Sequence, residues 1–544
     1  MVYDVVVVGS GIAGLMAAIE AKTQSNRVAI ISKSNVFKSN SSLASGGINA
    51  VTNAKLSQIQ EHIDDTYKSG KGLADMKSVL YMCHSAVKVI QKLSSYGVAF
   101  DSDGEGTILQ RGFGGTKAKR TCFVGDKTGA AITMALIKKA KAMGITLIPN
   151  TYVLDIAKIE NRVSGVVALR KFDSSVVVYP CKALVFAGGG YAGIYRGHTT
   201  NATDYTGDLL SVALRNGLKL KDMEFVQFHP TGFTKTSYLV SEAARGEGGY
   251  LRNSEGERFV DELETRDVVS RAILRQIERG SEVYLDLTHL DEQVIEDRLP
   301  SLNKAAVMQA GIDIKTQWLP IQPVAHYSMG GIANKMTKTA IAGLFVCGEC
   351  GCSGVHGANR LGGNSLLEGA VFGELAGKNA LEYSLKKSFL PVDYKDVIKH
   401  IEFVDRCFQS DTTKNFNAVR ISMGKTMFEK GGIIRDAKGL QKAREYMGYL
   451  RRECAQLYCI DKSRKNNVEL IGILELKNAL EVAEVTLLSA QKRCESRGAH
   501  YRSDFENAHS EFEKSIEAKR RGSFYQVEFE NSGYLARLRE FLTN

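Results

Sequence analysis

Five short segments concentrate the residues of this 544-residue chain that could do chemistry. Gln227-Phe-His-Pro-Thr-Gly232 sets His229 in what reads as a turn, and Ser241-Glu-Ala-Ala-Arg-Gly246 spaces Glu242 and Arg245 so that one helical turn brings them together. Arg266 opens Arg-Asp-Val-Val-Ser-Arg271, His326 stands in Pro323-Val-Ala-His-Tyr-Ser-Met-Gly330, and Arg360 stands in His356-Gly-Ala-Asn-Arg-Leu-Gly-Gly363. Taken singly, each is more simply a structural or solvated side chain. As a set of two histidines, the Ser241 hydroxyl and arginines in glycine- or proline-flanked motifs, they fit a site for a small dianion. Arginine supplies the forked donors that a carboxylate matches.

A second group suits a nucleotide. Val5 to Val8 is a β-branched run of the kind found in buried parallel strands. Gly9-Ser-Gly11-Ile-Ala-Gly14 follows at once, ahead of a predicted helix over 15–22 and a second strand over 27–31. There the first glycine permits the turn, the second admits a pyrophosphate to backbone N–H groups, and the third lets helix and strand pack closely. The acidic residue expected after the second strand is absent. Ser32 and Lys33 stand there instead, a hydroxyl and an ammonium able to hold an adenosine ribose. Residues 39–51, from Ser39 through Ala44, Ser45, Gly46 and Gly47, form a small-residue loop that reads as embracing the same cofactor. Asp208, just ahead of a predicted helix over 209–216, suits a helix cap or a ribose ligand.

The elements that must position these groups are most legible around 347–373. This glycine-rich stretch lies between a predicted strand and a helix that starts near Asn364 and Ser365, so backbone can approach a ligand closely and first-turn N–H groups are left for it. Cys347, Cys350 and Cys352 cluster within it, but a fourth metal ligand is missing, and they read as small buried cysteines rather than a metal site. From about Asp393 glycine becomes sparse and long helical periodicity takes over, ahead of a basic closing segment.

Bulk properties limit the partners. The length suggests two to four domains. The net charge of +11 comes with no long basic run or RNA-binding signature, which favours anionic substrates and acidic partner proteins over nucleic acid. The ten cysteines follow no disulfide framework, as suits a reducing, cytoplasmic compartment. Apolar runs stop short of the roughly 18 residues that a membrane span requires. The apolar N-terminal segment lacks a basic leader and carries the glycine motif, so it reads as mature structure.

The segments GSGIAG, RGFGGTKAKRTCFVGDKTG, QFHPTG, SEAARGEGGYL, RDVVSRAI, PVAHYSMGG and HGANRLGGNSLLEG, in this order, resemble the flavoprotein subunits of succinate dehydrogenase and fumarate reductase. The resemblance spans almost the whole chain. It implies an α/β fold, with a Rossmann-like FAD-binding domain (1–225 and 336–392), an inserted α+β capping domain (226–335), a C-terminal helical domain (393–510) and a C-terminal basic tail (511–544). It implies FAD held by Gly9, Gly11, Gly14, Ser32, Lys33, Ser39, Ala44, Ser45, Gly46, Gly47, Asp208, Glu349, Ser365 and Leu366. It also implies a dicarboxylate, fumarate or succinate, held by His229, Ser241, His326 and Arg360, with Arg266 as proton donor or acceptor and Glu242 with Arg245 as its relay. Members usually carry threonine where Ser241 stands, which keeps the hydroxyl.

Two departures refine the expectation. Asn40 occupies the place of the histidine that bonds covalently to FAD in the family, so the resemblance implies non-covalent FAD and favours fumarate reduction. Against the related L-aspartate oxidases, Phe113 before Gly114-Gly115 and Gly362-Gly363 after Arg360-Leu361 favour the dicarboxylate enzymes, whereas Ser241 and the LLEG string are oxidase-like. A non-enzymatic FAD-stabilised scaffold is the remaining alternative, and the intact dianion set speaks against it. With no haem, ferredoxin or nicotinamide motif in the chain, electrons are expected from outside it, and the resemblance implies an iron–sulfur subunit as their source. A membrane-anchor or quinone-linked subunit would then hold the assembly at the cytoplasmic face of the inner membrane.

Overall fold

The computed structural model describes residues 2–530. Its central feature is a seven-stranded sheet in the spatial order Thr146–Ile148, Val28–Ile31, Tyr3–Val8, Ser175–Phe186, Arg162–Arg170 and Thr151–Ile159, with Leu344–Val346 also paired to Ser175–Phe186. The long strand Ser175–Phe186 serves two kinds of neighbour. Its first half pairs antiparallel with Arg162–Arg170, and its second half runs parallel to both Tyr3–Val8 and Leu344–Val346. In that parallel part Ile31, Val8, Phe186 and Val346 fall on one row of the ladder. The segments that follow them, at Ser32-Lys33, Gly9, Ala187-Gly188 and Cys347-Gly348-Glu349, therefore gather at one rim, the carboxyl edge where such sheets bind ligands.

The helix Ile12–Ala21 leaves this rim and packs against Asn364–Lys386. Their contact is unusually close because Gly369, Gly373 and Gly377 face it at four-residue spacing. A Cβ at Gly373 would lie 2.5 Å from the Ala13 carbonyl oxygen, and one at Gly377 2.3 Å from that of Ala17. The expected glycine-motif unit and the helix near Asn364 are thus present and docked on each other.

A separate antiparallel sheet, Val226–Phe233, Leu319–Ser328, Val283–Asp286 and Tyr250–Asn253, forms the α+β cap. It has its own apolar core, in which Val269 and Ile273 of the helix Arg266–Glu278 meet Leu251, Leu285 and Ile321. The C-terminal helices Phe416–Gly431, Ala437–Cys454 and Val468–Lys492 pack together, and Val468–Lys492 is buried along most of its length.

Three expectations need correction. The segment read as a basic tail is structured within the described residues: Ile516–Arg521 and Phe524–Phe529 form a hairpin whose first strand pairs with Leu220–Lys221. Ile516 and Ala518 alternate inward while the intervening charges find partners, such as Lys219 on Glu517 at 2.5 Å. Residues 531–544 of that segment lie outside the described residues. His229 lies in the strand Val226–Phe233 rather than a turn. Pro230 cannot donate to the ladder, and the register shifts between His229 and Gly232, a bulge that re-aims side chains without ending the strand. Asp208 is the first helical residue of Asp208–Arg215 and not its cap, which is Gly207 in a left-handed conformation (φ 76°). Among the described residues no helix is long and apolar enough to cross a membrane.

Candidate active site

The sheet rim opens into a cavity of about 790 Å³ lined by Gly9, Gly11, Ser32, Lys33, Ser39, Asn40, Ala44, Ser45, Asp208, Glu349, Ser365 and Leu366. Gly9 takes φ 116° and lies so close to the neighbouring strand end that a Cβ would come 2.1 Å from the Ala187 carbonyl oxygen. Gly14 does not line the cavity but packs on the turn: a Cβ there would sit 2.0 Å from the Gly9 carbonyl oxygen. Gly46 and Gly47 likewise stand behind the wall, Gly46 against the Phe113 ring and Gly47, at φ 125°, against Thr121 and Cys122. Backbone and glycine thus form a cradle of the size and polarity that FAD needs.

The polar side chains of this cavity are largely paired with one another. Ser10 and Ser32 hydroxyls lie 3.1 Å apart. Ser39 caps the short helix Asn40–Leu43 in a capping box with Ser42. Lys33 bridges Asp208 at 2.7 Å and Glu475 at 2.9 Å, and although burial opposes its charge, these carboxylates raise its pKa. Asp208 also accepts from Tyr152 Oη at 2.7 Å and Asn478 Nδ2 at 3.0 Å. Glu349 accepts from the Ser328 N–H and Oγ, both at 2.9 Å, and burial pushes its carboxyl up to about 7. Asn40 is held on every side: its N–H donates to Tyr205 Oη at 3.1 Å, its Oδ1 accepts from the Ala202 N–H at 3.1 Å, and its Nδ2 donates to Asn201. Glu475 and Asn478, from the helix Val468–Lys492, were not anticipated. Nothing in their local sequence separates them from other polar residues on a helix.

Beside this cavity, in the seam between cap and sheet, lies the second group. His326 borders both. Its ring centroid is 5.3 Å from that of His229, and its Nδ1 is 2.7 Å from Thr200 Oγ1. Burial, then the positive charge of Arg266 and Arg360 around them, holds both imidazoles well below their usual pKa, so both are neutral near pH 7. Arg266, at the start of its helix, donates from Nε (2.8 Å) and Nη2 (2.6 Å) to Glu242 Oε2 and from Nη1 to Gln227 Oε1 at 3.2 Å. Glu242 Oε1 accepts from the Gly114 N–H at 2.8 Å. Burial alone would raise the Glu242 carboxyl, but Arg266 and Arg245 pull it down to about 2.

Arg360 and Arg245 differ from Arg266 in what they leave unmet. Arg360 is 3% exposed and donates from Nη1 to Ser365 Oγ at 3.0 Å, while its Nε and Nη2 have no partner. Arg245 donates from Nη1 to the Glu262 carbonyl at 2.5 Å and likewise leaves Nε and Nη2 unpaired. The expected Glu242–Arg245 pairing is electrostatic only, since the hydrogen bonds of Glu242 go to Arg266 and Gly114. Ser241 caps Glu242–Gly246 by accepting from the Ala243 N–H at 3.3 Å, which leaves its hydroxyl hydrogen to donate. Sequence reasoning missed Gln227, whose Nε2 donates to Asn359 Oδ1 (2.9 Å) and the Arg360 carbonyl (2.8 Å) while its Oε1 holds Arg266. It joins the two arginines, and its place in the QFHPTG string was its only signal. Cys347, Cys350 and Cys352 are buried thiols whose pKa burial raises.

Residues 4–366 match the family model of the FAD binding domain, and residues 420–531 match that of the fumarate reductase flavoprotein C-terminal region. The chain is 37% identical over 542 residues to a succinate dehydrogenase flavoprotein subunit of Coxiella burnetii, covering 92% of each chain. It is 38% identical over 542 residues to an uncharacterized FAD-dependent oxidoreductase of Methanocaldococcus jannaschii, covering 97% of this chain and 98% of that one. A solved structure of an E. coli quinol fumarate reductase variant superposes with a TM-score of 0.93 at 33% identity, over 97% of this chain and 96% of that one.

Proposed function

The chain belongs to the succinate dehydrogenase/fumarate reductase flavoprotein family and is an FAD-dependent oxidoreductase, and from that premise we propose that it interconverts fumarate and succinate, with fumarate reduction favoured. The observation that carries this reading is Arg360. A guanidinium so buried, with two N–H groups unmet and a second cation nearby, is costly unless an anion completes it. The His229 and His326 ring centroids lie 5.3 Å apart, and with the Ser241 hydroxyl they would hold a second carboxylate, so the site fits a dianion of a few carbons.

Bound FAD would supply hydride exchange with one olefinic carbon. The chain's own residues would do the rest. Arg360 clamps a carboxylate through its free Nε and Nη2, and the histidines and Ser241 hold the other end. These donors are fixed before charge accumulates on the substrate, which is where preorganised hydrogen bonds lower a barrier most. Arg266 passes the proton at the neighbouring carbon. An arginine does this only if its proton is replaced at once, and its two bonds to the ionised Glu242 give it a nearby route for replacement. Arg245, with two unmet N–H groups on the same turn, continues that route outward. Phe113 packs against Gly46 and Gly362 and brings no carboxylate of its own to receive a substrate amino group, while Glu242, which also borders Gly362, is already bound by Arg266.

On the cofactor side we read FAD as non-covalent, because Asn40 offers an amide already engaged by Tyr205, Ala202 and Asn201. The relatives named as succinate dehydrogenase and quinol fumarate reductase support an iron–sulfur partner and, through it, a quinone-linked membrane subunit at the cytoplasmic face. The deciding assay compares fumarate reduction by a reduced dye with peroxide formation from L-aspartate. We expect the first and not the second, and the reverse result would make the chain an aspartate oxidase. Acid precipitation should release the yellow colour into the supernatant.

A further inference from the structure

We propose that Glu368 is a positioning residue for the dicarboxylate site: its carboxylate, acting through the Tyr327 hydroxyl, makes the Tyr327 ring the counter-charge that holds Arg360 in place. The inference rests on the reading of Arg360 as a carboxylate clamp. Among the described residues Arg360 forms no ion pair with a carboxylate; its hydrogen bond goes to the neutral Ser365 hydroxyl. What lies against it is the face of Tyr327, with the guanidinium carbon 4.4 Å from the ring centroid. A cation over an aromatic face is attracted by the ring quadrupole, most strongly when water is excluded.

The other end of that tyrosine is equally specific. Its hydroxyl donates to Glu368 Oε2 at 2.7 Å, and His356 Nε2 approaches the same oxygen at 3.2 Å. Glu368 Oε1 accepts from Ser353 Oγ at 2.7 Å. All of Tyr327, His356 and Glu368 are buried, Glu368 at 1% exposure, within the otherwise apolar run Leu366-Leu367-Glu368-Gly369-Ala370-Val371-Phe372. Burial alone would raise the Glu368 carboxyl, but His356, Ser353 and Tyr327 lower it, so it is ionised. A phenol that donates to an anion becomes more electron-rich, and hydrogen-bonded chains of this kind strengthen one another in a low-dielectric interior.

After Tyr327, Glu349 and Glu242 also favour the Arg360 charge, but the hydrogen bonds of the other charged groups go elsewhere. Arg266 repels it, Glu242 is committed to Arg266 and the Gly114 N–H, Glu349 is bound by Ser328, and His229 and His326 are neutral. Glu368 therefore reaches Arg360 through the Tyr327 ring, which contacts the guanidinium by its face and leaves Nε and Nη2 without a hydrogen-bond partner, free for substrate. The LLEG string, which separated this chain ambiguously from the aspartate oxidases, thereby acquires a role.

The test uses the FAD-loaded protein, titrated with malonate and followed by the flavin absorbance change, together with steady-state fumarate reduction by a reduced dye. Glu368→Gln keeps the length and removes the charge. It should raise the malonate Kd and the fumarate KM about tenfold, the scale of a desolvated cation–π contact, with kcat within about threefold and FAD content unchanged. Glu368→Asp keeps the charge on a shorter arm and should recover part of the affinity. A role in packing alone reverses that order, with Gln the milder change, and such a result overturns the proposal. Tyr327→Phe keeps the ring, removes the donor and should raise Kd in the same direction even if the Glu368 variants fold poorly; wild-type affinity in Tyr327→Phe overturns the relay. Wild-type protein that binds neither malonate nor fumarate would overturn the dianion reading itself, and this inference with it.

Discussion

The cofactor cavity and the dianion cluster are built on opposite plans. Around the cavity, charged side chains are matched within the protein, Lys33 with Asp208 and Glu475, Glu349 with Ser328, and recognition is left to backbone, glycine and small hydroxyls. In the cluster, backbone plays little part. Arg360 and Arg245 keep N–H groups unmet, and two imidazoles are held neutral by burial first and by surrounding cations second. On the proposed function, the first plan offers shape to a large cofactor and the second keeps charge unsatisfied for a small dianion. Substitutions should accordingly fail by sterics on one side and by electrostatics on the other.

The largest effect is expected on the electrostatic side. Arg266→Gln removes the proposed proton donor but keeps a polar side chain, and fumarate turnover should fall about a thousandfold or more. FAD content, read from flavin absorbance per chain, should stay at the wild-type level. Turnover within tenfold of wild type would erase the distinction between the two regions.

Glu242→Gln comes next. The carboxylate held near pKa 2 by Arg266 and Arg245 is replaced by an amide that can accept from Arg266 but cannot exchange a proton with it. We expect about a hundredfold loss in kcat, with fumarate KM changed by less than threefold. A loss confined to KM would mean that Glu242 positions the site rather than relays protons.

On the steric side, Gly14→Val should separate cofactor from chain without touching any charge. The added Cβ would meet the Gly9 carbonyl oxygen at 2.0 Å, so strand and helix must part. Overpacking of this kind costs about 1–3 kcal/mol, visible as a lower Tm, and the displaced turn should release FAD during gel filtration. Retention of stoichiometric FAD would show that the glycine motif is more tolerant than its contacts suggest.

How much of this was legible in the sequence follows the same division. The glycine cradle was readable because its signals are local: β-branched Val5–Val8, the glycine spacing and the next strand lie within about thirty residues. The identities of His229, His326, Arg266 and Arg360 were readable from their short motifs, but their surroundings were not. His229 looked like a turn residue because Pro230 and Gly232 flank it, and only the pairing with Leu319–Ser328 shows a bulged strand. The hairpin Ile516–Phe529 looked like a charged tail because its partner, Leu220, lies far away in sequence, and alternation in a short basic segment is weak without that partner. Glu475 reaches Lys33 across a comparable separation. Long-range pairing of ordinary residues leaves no local trace.

The smallest predicted effect probes the neutral histidines. His229 Nδ1 lies 3.1 Å from the Thr231 carbonyl oxygen and 3.3 Å from the Thr231 N–H nitrogen, so either neutral tautomer finds a partner there, and only the imidazolium donates from both ring nitrogens at once. In the free protein, burial and then Arg266 and Arg245 hold its pKa well below 6.5, and the ring is neutral. A bound dianion reverses the sign of the local field and raises that pKa, so binding takes up a proton wherever the pH lies below the bound-state value. The sign follows from linkage: affinity rises as pH falls, by at most about tenfold per unit for one proton. We expect the fumarate KM to drop a few-fold between pH 8 and pH 6, with His229→Gln flattening the profile. Because the cofactor cavity offers shape and side chains already paired with one another, FAD retention over the same range should not change. A KM that rises on acidification would show that the histidines are not the acceptors of that proton, and the contrast between the two regions would then rest on the arginines alone.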